Sequence, residues 1–367
     1  MRRAEALFLK TAERRGRWAW LGWTLMPLGF LYGAAAALRR RRWEDGGLRL
    51  GVPVLSVGNI EVGGTGKTPV TIWLARRIAG MGYDVAVAAR NTGPLREPCR
   101  VRVDAASPPA GIGDEALLLA EKLVGKARVY AARSKTAAAL KALTERKPDL
   151  VIVDDGFQHL KLHRDIDLVV LDFAEPFGRG GVLPAGTLRE RPTSLAAADH
   201  IWINRVRPGM SAEWIRRRLA DYNWRAPVQF SRMRPDGLRV ASTRVRGDIP
   251  ADPVIAFCGL GRPDSFRQTL EEAGIRVMRL VPYPDHHPYT ERDMEDLAEM
   301  KRSTGAGALV TTAKDAVKLQ GLPGAGDVLV LETVLEVEGA VAELLGDIER
   351  VISDGRRRAD RAGGDGA

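Results

Sequence analysis

Residues Val54–Pro69 read VLSVGNIEVGGTGKTP, and Gly63, Gly64, Thr65, Gly66, Lys67 and Thr68 are of the types that bind a nucleoside triphosphate. Glycines let backbone N–H groups converge on phosphate oxygens, a lysine adds a cation, and a threonine hydroxyl can hold Mg²⁺. The spacing departs from G-x-x-x-x-G-K-[ST] at one place, where Glu61 stands instead of glycine. Flexibility must then come from Gly63, Gly64 and Gly66. Leu150–Asp155 reads LVIVDD, four β-prone apolar residues ending in two carboxylates. Two aspartates often end a strand at a turn, but after a GKT loop this is the strand that delivers Asp154 and Asp155 to the Mg²⁺ held by Thr68. Gly113-Asp114-Glu115 opens a helical stretch, where a carboxylate also satisfies the helix dipole without further function. Pro284-Asp285-His286-His287-Pro288 puts two histidines in a loop between prolines. Adjacent histidines with no third ligand spaced nearby make a poor zinc site. A histidine that orients or relays a proton for a carboxylate base suits phosphoryl transfer better.

The elements that must position these residues alternate. Val52–Val57 reads as the strand entering the glycine-rich loop, and the helix after it shares Val70, Leu74 and Ile78 on one face. Strand Asp84–Ala89, helix Asp114–Val124, strand Arg128–Ala132, a helix capped by Ser134, and strands Leu150–Val153 and Leu168–Leu171 follow. Such alternation predicts a parallel sheet with helices on both faces, its ligand at the carboxyl ends of the strands. Near residue 225 the composition shifts. Val228–Val240 reads as two short strands around the turn Pro235-Asp236-Gly237, and a second alternation follows, with a capping box from Thr290 to Asp293. The expected fold is α/β: a P-loop NTPase-like parallel-sheet domain over 49–225 and a smaller α/β domain over 226–353. An N-terminal apolar membrane-associating helix lies within 1–48, and a charged, glycine-rich disordered tail spans 354–367.

With 367 residues the chain can hold two cores, and 45% hydrophobic residues exclude wholesale disorder. Cys99 and Cys258 form no disulfide framework, which fits a reducing compartment. The net charge of +10 points to an anionic partner. Trp18–Leu38 carries no charge, is rich in aromatics, and is flanked by Arg14, Arg15 and Arg17 before it and Arg39–Arg42 after it. That is the pattern of a helix lying on or dipping into a membrane surface; the alternatives are a spanning helix, which Gly22, Pro27, Gly29 and Gly33 weaken, and a buried core helix.

Six blocks occur in one order: VGNIEVGGTGKTP, GDEALLLA, VIVDDGFQHLKLHRDIDLVVLD, LPAGTLRE, PDHHPYT and VTTAKDAVKL. Together they resemble the tetraacyldisaccharide 4′-kinase family, the lipid A 4′-kinases of Gram-negative bacteria, from the apolar segment to about residue 345. The resemblance implies ATP and Mg²⁺ as cofactors and a tetraacylated glucosamine disaccharide 1-phosphate as substrate, phosphorylated on its 4′-hydroxyl. It implies action at the cytoplasmic face of the inner membrane, by a monomer with no nucleic-acid partner. By resemblance Gly63–Thr68 cradle the triphosphate, Asp114 is the base assisted by His286, and Asp154, Asp155 and Glu190 serve the metal. The competing expectation is a P-loop ATPase or switch at the membrane without lipid phosphorylation. Two departures stand out. Ala89-Arg90-Asn91-Thr92-Gly93 replaces a SRGYG-like block, and Ala313 replaces the glutamate of TTEKDAVKL.

Overall fold

The computed structural model describes residues 24–43, 46–102, 111–206, 209–243, 245–261 and 263–364. The chain forms two compact units, Met1–Arg232 with Val337–Ala367, and Met233–Glu336.

The first unit opens with helix α1 (Met26–Arg42), followed by β1 (Val54–Gly58), α2 (Lys67–Gly80), β2 (Val85–Arg90), β3 (Cys99–Val101), α3 (Asp114–Lys122), β4 (Arg128–Ala132) and α4 (Lys135–Glu145). It continues through β5 (Leu150–Asp154), β6 (Ile166–Asp172), β7 (His200–Asn204), α5 (Ala212–Ala220) and the start of β8 (Val228–Val240). The strands order as β3-β4-β2-β5-β1-β6-β7-β8, parallel throughout except for antiparallel β3 at the edge. β1, β4, β5, β6 and β7 are buried along their whole length, as their largely apolar sequences require when helices cover both faces. One side packs Val54, Ala88 and Val153 against Ala138, Ala139 and Ala142 of α4. The other packs Val169, Leu171, Ile201 and Ile203 against Ile215 and Leu219 of α5.

The second unit holds the rest of β8 with antiparallel β9 (Arg246–Gly247), then β10 (Val254–Cys258), α6 (Pro263–Glu272), β11 (Val277–Pro282), α7 (Glu291–Thr304), β12 (Leu309–Thr312), the short α8 (Ala313–Ala316) and β13 (Leu329–Gly339). Its parallel order is β11-β10-β12-β13. The expected capping box is present: Thr290 and Asp293 exchange side-chain-to-backbone bonds at the start of α7. The chain then returns to the first unit as α9 (Val341–Gly364).

Three expectations change. Val228–Val240 is one strand, because the Pro-Asp-Gly segment stays extended with Gly237 at φ +97° while Leu238 and Arg239 pair with β9. Residues 337–353, expected in the smaller domain, belong to the first unit. Leu344, Leu345, Ile348 and Ile352 are buried there, and His200 of β7 meets Asp347 at 3.0 Å. The expected disordered tail is helical through Gly364, continuing that anchored face past Gly355, which seats against Pro53, and Arg356, which pairs with Asp149.

α1 covers only part of the apolar run, residues 18–23 lying outside the described ones. Among the described residues no helix is long and apolar enough to cross a membrane. α1 is docked by its small residues. Gly29 faces Val182 and Ala185, and Gly33 faces Arg191, whose guanidinium lies 4.6 Å over the Phe30 ring. Leu28, Phe30, Leu31 and Leu38 point outward, 53–69% exposed.

Candidate functional site

β1 and β5 are parallel neighbours with Val57 opposite Asp154, so the chain enters the glycine-rich loop beside the two carboxylates. The loop is held from two sides. Asn59 Nδ2 donates to Thr65 Oγ1 at 3.1 Å, and Asn204 Nδ2, at the end of β7, donates to the Thr65 carbonyl at 3.1 Å. Gly66 caps α2 at φ +89°, and a Cβ there would lie 1.8 Å from Asn204 Nδ2. Left-handed backbone and close approach thus both demand glycine. Glu61, the residue outside the usual spacing, is buried and structural: Thr187 Oγ1 donates to it at 2.8 Å, and it bridges to Leu188.

Lys67 and Thr68 open α2, whose N-terminal N–H groups and dipole favour an anion. Lys67 Nζ lies 3.4 Å from Asp155 Oδ1. The same carboxylate receives Lys135 Nζ at 3.7 Å and Arg189 Nη1 at 3.0 Å to each oxygen. Burial works to raise the Asp155 carboxyl, but the three cations outweigh it and bring it down to about 2. Asp154 behaves oppositely. It is buried, and desolvation pushes it up to about 6, against the Thr71 hydroxyl that donates to Oδ1 at 2.7 Å. Adjacent carboxylates with such different environments are a mark of a functional site. Burial also lowers the Lys135 ammonium, against the pull of Asp155. His159 is brought down to about 4, by burial first and then by Lys135, Arg164, Arg39 and Lys161.

Among the described residues no group of three or more His, Cys, Asp or Glu could hold a metal ion. A Mg²⁺ beside a phosphate loop needs less, because substrate phosphates and water complete its shell. The hard oxygens of Thr68, Asp154 and Asp155 fit that requirement. Glu190, the further candidate, is held by Arg40, which donates to it with Nε at 2.9 Å and Nη2 at 3.2 Å while also stacking on Phe157 at 4.0 Å.

Asp114 is the first residue of α3, after an N-cap glycine. Gly113 N donates to Asn91, which directly follows β2, and β2 runs parallel beside β5. Asp114 therefore sits on the same sheet edge as the loop and Asp154. His286 lies in the second unit. It is exposed, holds φ +57°, and donates its backbone N–H to Asp285, which Lys314 grips at 2.7 Å. His287 is the structural one of the pair, stacked 4.6 Å from Tyr283 and bonded to Asp293 at 3.1 Å. Sequence reasoning missed Lys135, Arg189 and Asn204. Arg189 stood next to Glu190 in the LPAGTLRE block; the other two carried no local signal.

The tetraacyldisaccharide-1-P 4′-kinase family matches residues 21–350. The tetraacyldisaccharide 4′-kinase of Anaeromyxobacter sp. (strain Fw109-5) is 41% identical over 301 residues, covering 79% of this chain and 80% of that protein. The protein of that name from Bradyrhizobium sp. (strain ORS 278) is 37% identical over 305 residues, covering 83% and 85%. A crystal structure of Aquifex aeolicus LpxK in complex with ATP superposes with a TM-score of 0.71 at 28% identity, covering 90% of this chain and 99% of that one.

Proposed function

Because this chain belongs to the tetraacyldisaccharide-1-P 4′-kinase family, we propose a division of labour among its residues for that family's reaction. The reaction is ATP-dependent phosphorylation of the 4′-hydroxyl of a tetraacyldisaccharide 1-phosphate in lipid A biosynthesis, and the nucleotide-switch alternative is not favoured. Backbone N–H groups of Gly63–Thr68 hold the triphosphate, and Lys67 neutralises its charge. Thr68, Asp154 and Asp155 hold Mg²⁺, which when bound offsets charge on the transferring phosphoryl group. The observation that carries this reading is the convergence of Lys67, Lys135 and Arg189 on Asp155 beside the loop. Glu190, gripped by Arg40, orients the segment that carries Arg189.

Asp114 accepts the proton of the sugar hydroxyl and His286 tunes it. Supporting this is the position of Asp114 on the loop's edge of the sheet, and the exposure of His286 where His287 is packed away. Phosphoryl transfer depends on positioning and charge stabilisation, and a hydroxyl nucleophile gains from a nearby carboxylate. The protein acts as a monomer at the cytoplasmic face of the inner membrane, with the outward apolar residues of α1 meeting lipid and Arg41 and Arg42 beside them meeting headgroups. A helix that buries glycines and exposes leucines supports that orientation.

The catalytic pairing is tested by Asp114→Ala, His286→Ala and the double variant. Each single lowers kcat by roughly 10²–10⁴. The double is little worse than the more damaged single, because the two act as a unit. Small, additive losses that track a lowered Tm sink the pairing.

A further inference from the structure

β2 ends at Arg90, and the residue that follows, Asn91, is 5% exposed. Its side chain uses all of its hydrogen-bonding capacity. Nδ2 donates to the Leu95 carbonyl at 2.8 Å and the Gly111 carbonyl at 3.2 Å. Oδ1 accepts from Gly93 N at 3.0 Å and Gly113 N at 2.8 Å. Its backbone N–H donates to Ala132 at the end of β4, at 2.7 Å. One amide thus ties the chain leaving β2, at Gly93 and Leu95, to the chain arriving at α3, at Gly111 and Gly113. Gly113 is the N-cap of α3 and supplies no side-chain cap. Asp114 Oδ1 accepts from Glu115 N at 3.0 Å, and the start of this helix is further fixed from outside, by Asn91 and by a seat so tight that a Cβ on Gly113 would lie 2.2 Å from Thr92 Oγ1.

We propose that Asn91 is a positioning residue for Asp114: its amide clamp sets where the first turn of α3, and with it the Asp114 carboxylate, stands relative to the end of β2. This rests on the reading of Asp114 as the base. A base must come within hydrogen-bond reach of its proton, and misplacement by about 1 Å can lower a rate roughly 10²-fold. Asn91 stands where the SRGYG-like block has glycine, a residue with no side chain to make such a clamp. Asn91 is thus a fourfold-bonded position, next to a threonine that fits Gly113 closely.

The test is a cycle of Asn91→Ala and Asp114→Asn, with Asn91→Asp as a second probe, reading kcat, ATP Kd, Tm and the pH profile of kcat/KM in the full chain. Asn91→Ala should lower kcat roughly 10–100-fold with ATP Kd within about twofold, and should add less than about twofold to the loss in Asp114→Asn. Asn91→Asp keeps the acceptor for Gly93 and Gly113 and places a negative charge beside Asp114. It also sets a carboxylate oxygen against the Leu95 and Gly111 carbonyls that Nδ2 now bonds, so it should lower kcat as well as move the acid limb of the profile to higher pH, since a like charge disfavours ionised Asp114. Wild-type kcat in Asp114→Asn refutes the base reading, and the clamp's purpose with it. Wild-type kcat in Asn91→Ala when Asp114→Asn is crippled overturns the clamp alone, as does an equal loss from Asn91→Ala in both backgrounds. If Asn91→Ala does not fold, wild-type kcat in Asn91→Asp, which has lost the two donor bonds, overturns it.

Discussion

Asp154→Asn should stabilise the protein at alkaline pH while reducing turnover. Asp154 is buried, and burial holds its carboxyl near 6 against an ordinary 3.8. For an acid raised in this way, the stability it contributes is full below the unfolded value and is lost as pH rises through the folded one. The difference is 6 − 3.8, or about 2 units, which at 1.36 kcal/mol per unit makes about 3 kcal/mol an upper figure for the cost of ionising it in the fold. Asparagine keeps an oxygen that can accept from Thr71 Oγ1, now at 2.7 Å, and removes the charge. At pH 8, without nucleotide or metal, Tm should therefore rise by about 3–6 °C, using roughly 2 °C per kcal/mol for a unit of this size. At pH 5, midway through the window from 3.8 to 6, the difference should be about half of that at pH 8, and it should vanish towards pH 3.8. On the proposed metal-binding role of Asp154, Mg²⁺-dependent kcat should fall at least tenfold. Differential scanning fluorimetry across pH 5–8, paired with a lipid phosphorylation assay, reads both quantities. A Tm difference that does not change with pH, or a variant less stable at pH 8, refutes the reasoning.

Gly66→Ala forces a side chain into left-handed backbone, at about 1 kcal/mol, and onto Asn204 Nδ2; ATP Kd by calorimetry should rise at least tenfold, and an unchanged Kd counts against the loop geometry. Asp155→Asn frees Lys67, Lys135 and Arg189 from their shared carboxylate, so metal-free ATP should bind more tightly while Mg²⁺-dependent turnover falls; weaker metal-free binding contradicts the competition. Because Asp155 is held at about 2, the stability it contributes is present above pH 3.8 and is lost as pH falls through 2, so the same variant should melt lower at neutral pH. Phe30→Ser with Leu31→Ser removes two outward side chains of α1, each contributing about 1.5–3 kcal/mol on full burial, and should weaken partition to anionic vesicles roughly 10²-fold or more; unchanged flotation places the membrane contact elsewhere.

What the sequence made legible was local. Leu150–Asp155 is an apolar run ending in carboxylates, and Gly66-Lys67-Thr68 follows a buried strand, so both the strands and the loop could be read from contiguous residues. The Thr290–Asp293 box was readable for the same reason. What could not be read depends on partners distant in the chain. Asn204 reaches Thr65 across 139 residues, and Arg40 reaches Glu190, which the resemblance had placed near the metal, across 150. The role of α9 was hidden differently. Its apolar positions Leu344, Ile348 and Ile352 have helical spacing, but only the sheet they pack on decides which unit they join. Asn91 looked like a loss from a family pattern, and its four bonds are visible only once Gly111 and Gly113 return beside it.

The pairing of Lys67 with Asp155 joins the two strongest sequence signals to each other. One was read as a phosphate ligand and the other as a metal ligand, and in the structure each holds the other. A buried charge without a partner costs several kcal/mol, so a site built of separated cations and carboxylates is stable only while they neutralise one another. Asp154 meets the same constraint by another route, its carboxyl raised far enough that the neutral form is accessible near pH 6. On the proposed division of labour, a magnesium triphosphate would exchange these partners: phosphate oxygens would take Lys67, and Asp155 would help hold the metal. Because each new ion pair replaces an old one, the exchange leaves no charge stranded. Lys135 and Arg189, which also hold Asp155, keep its carboxylate ionised.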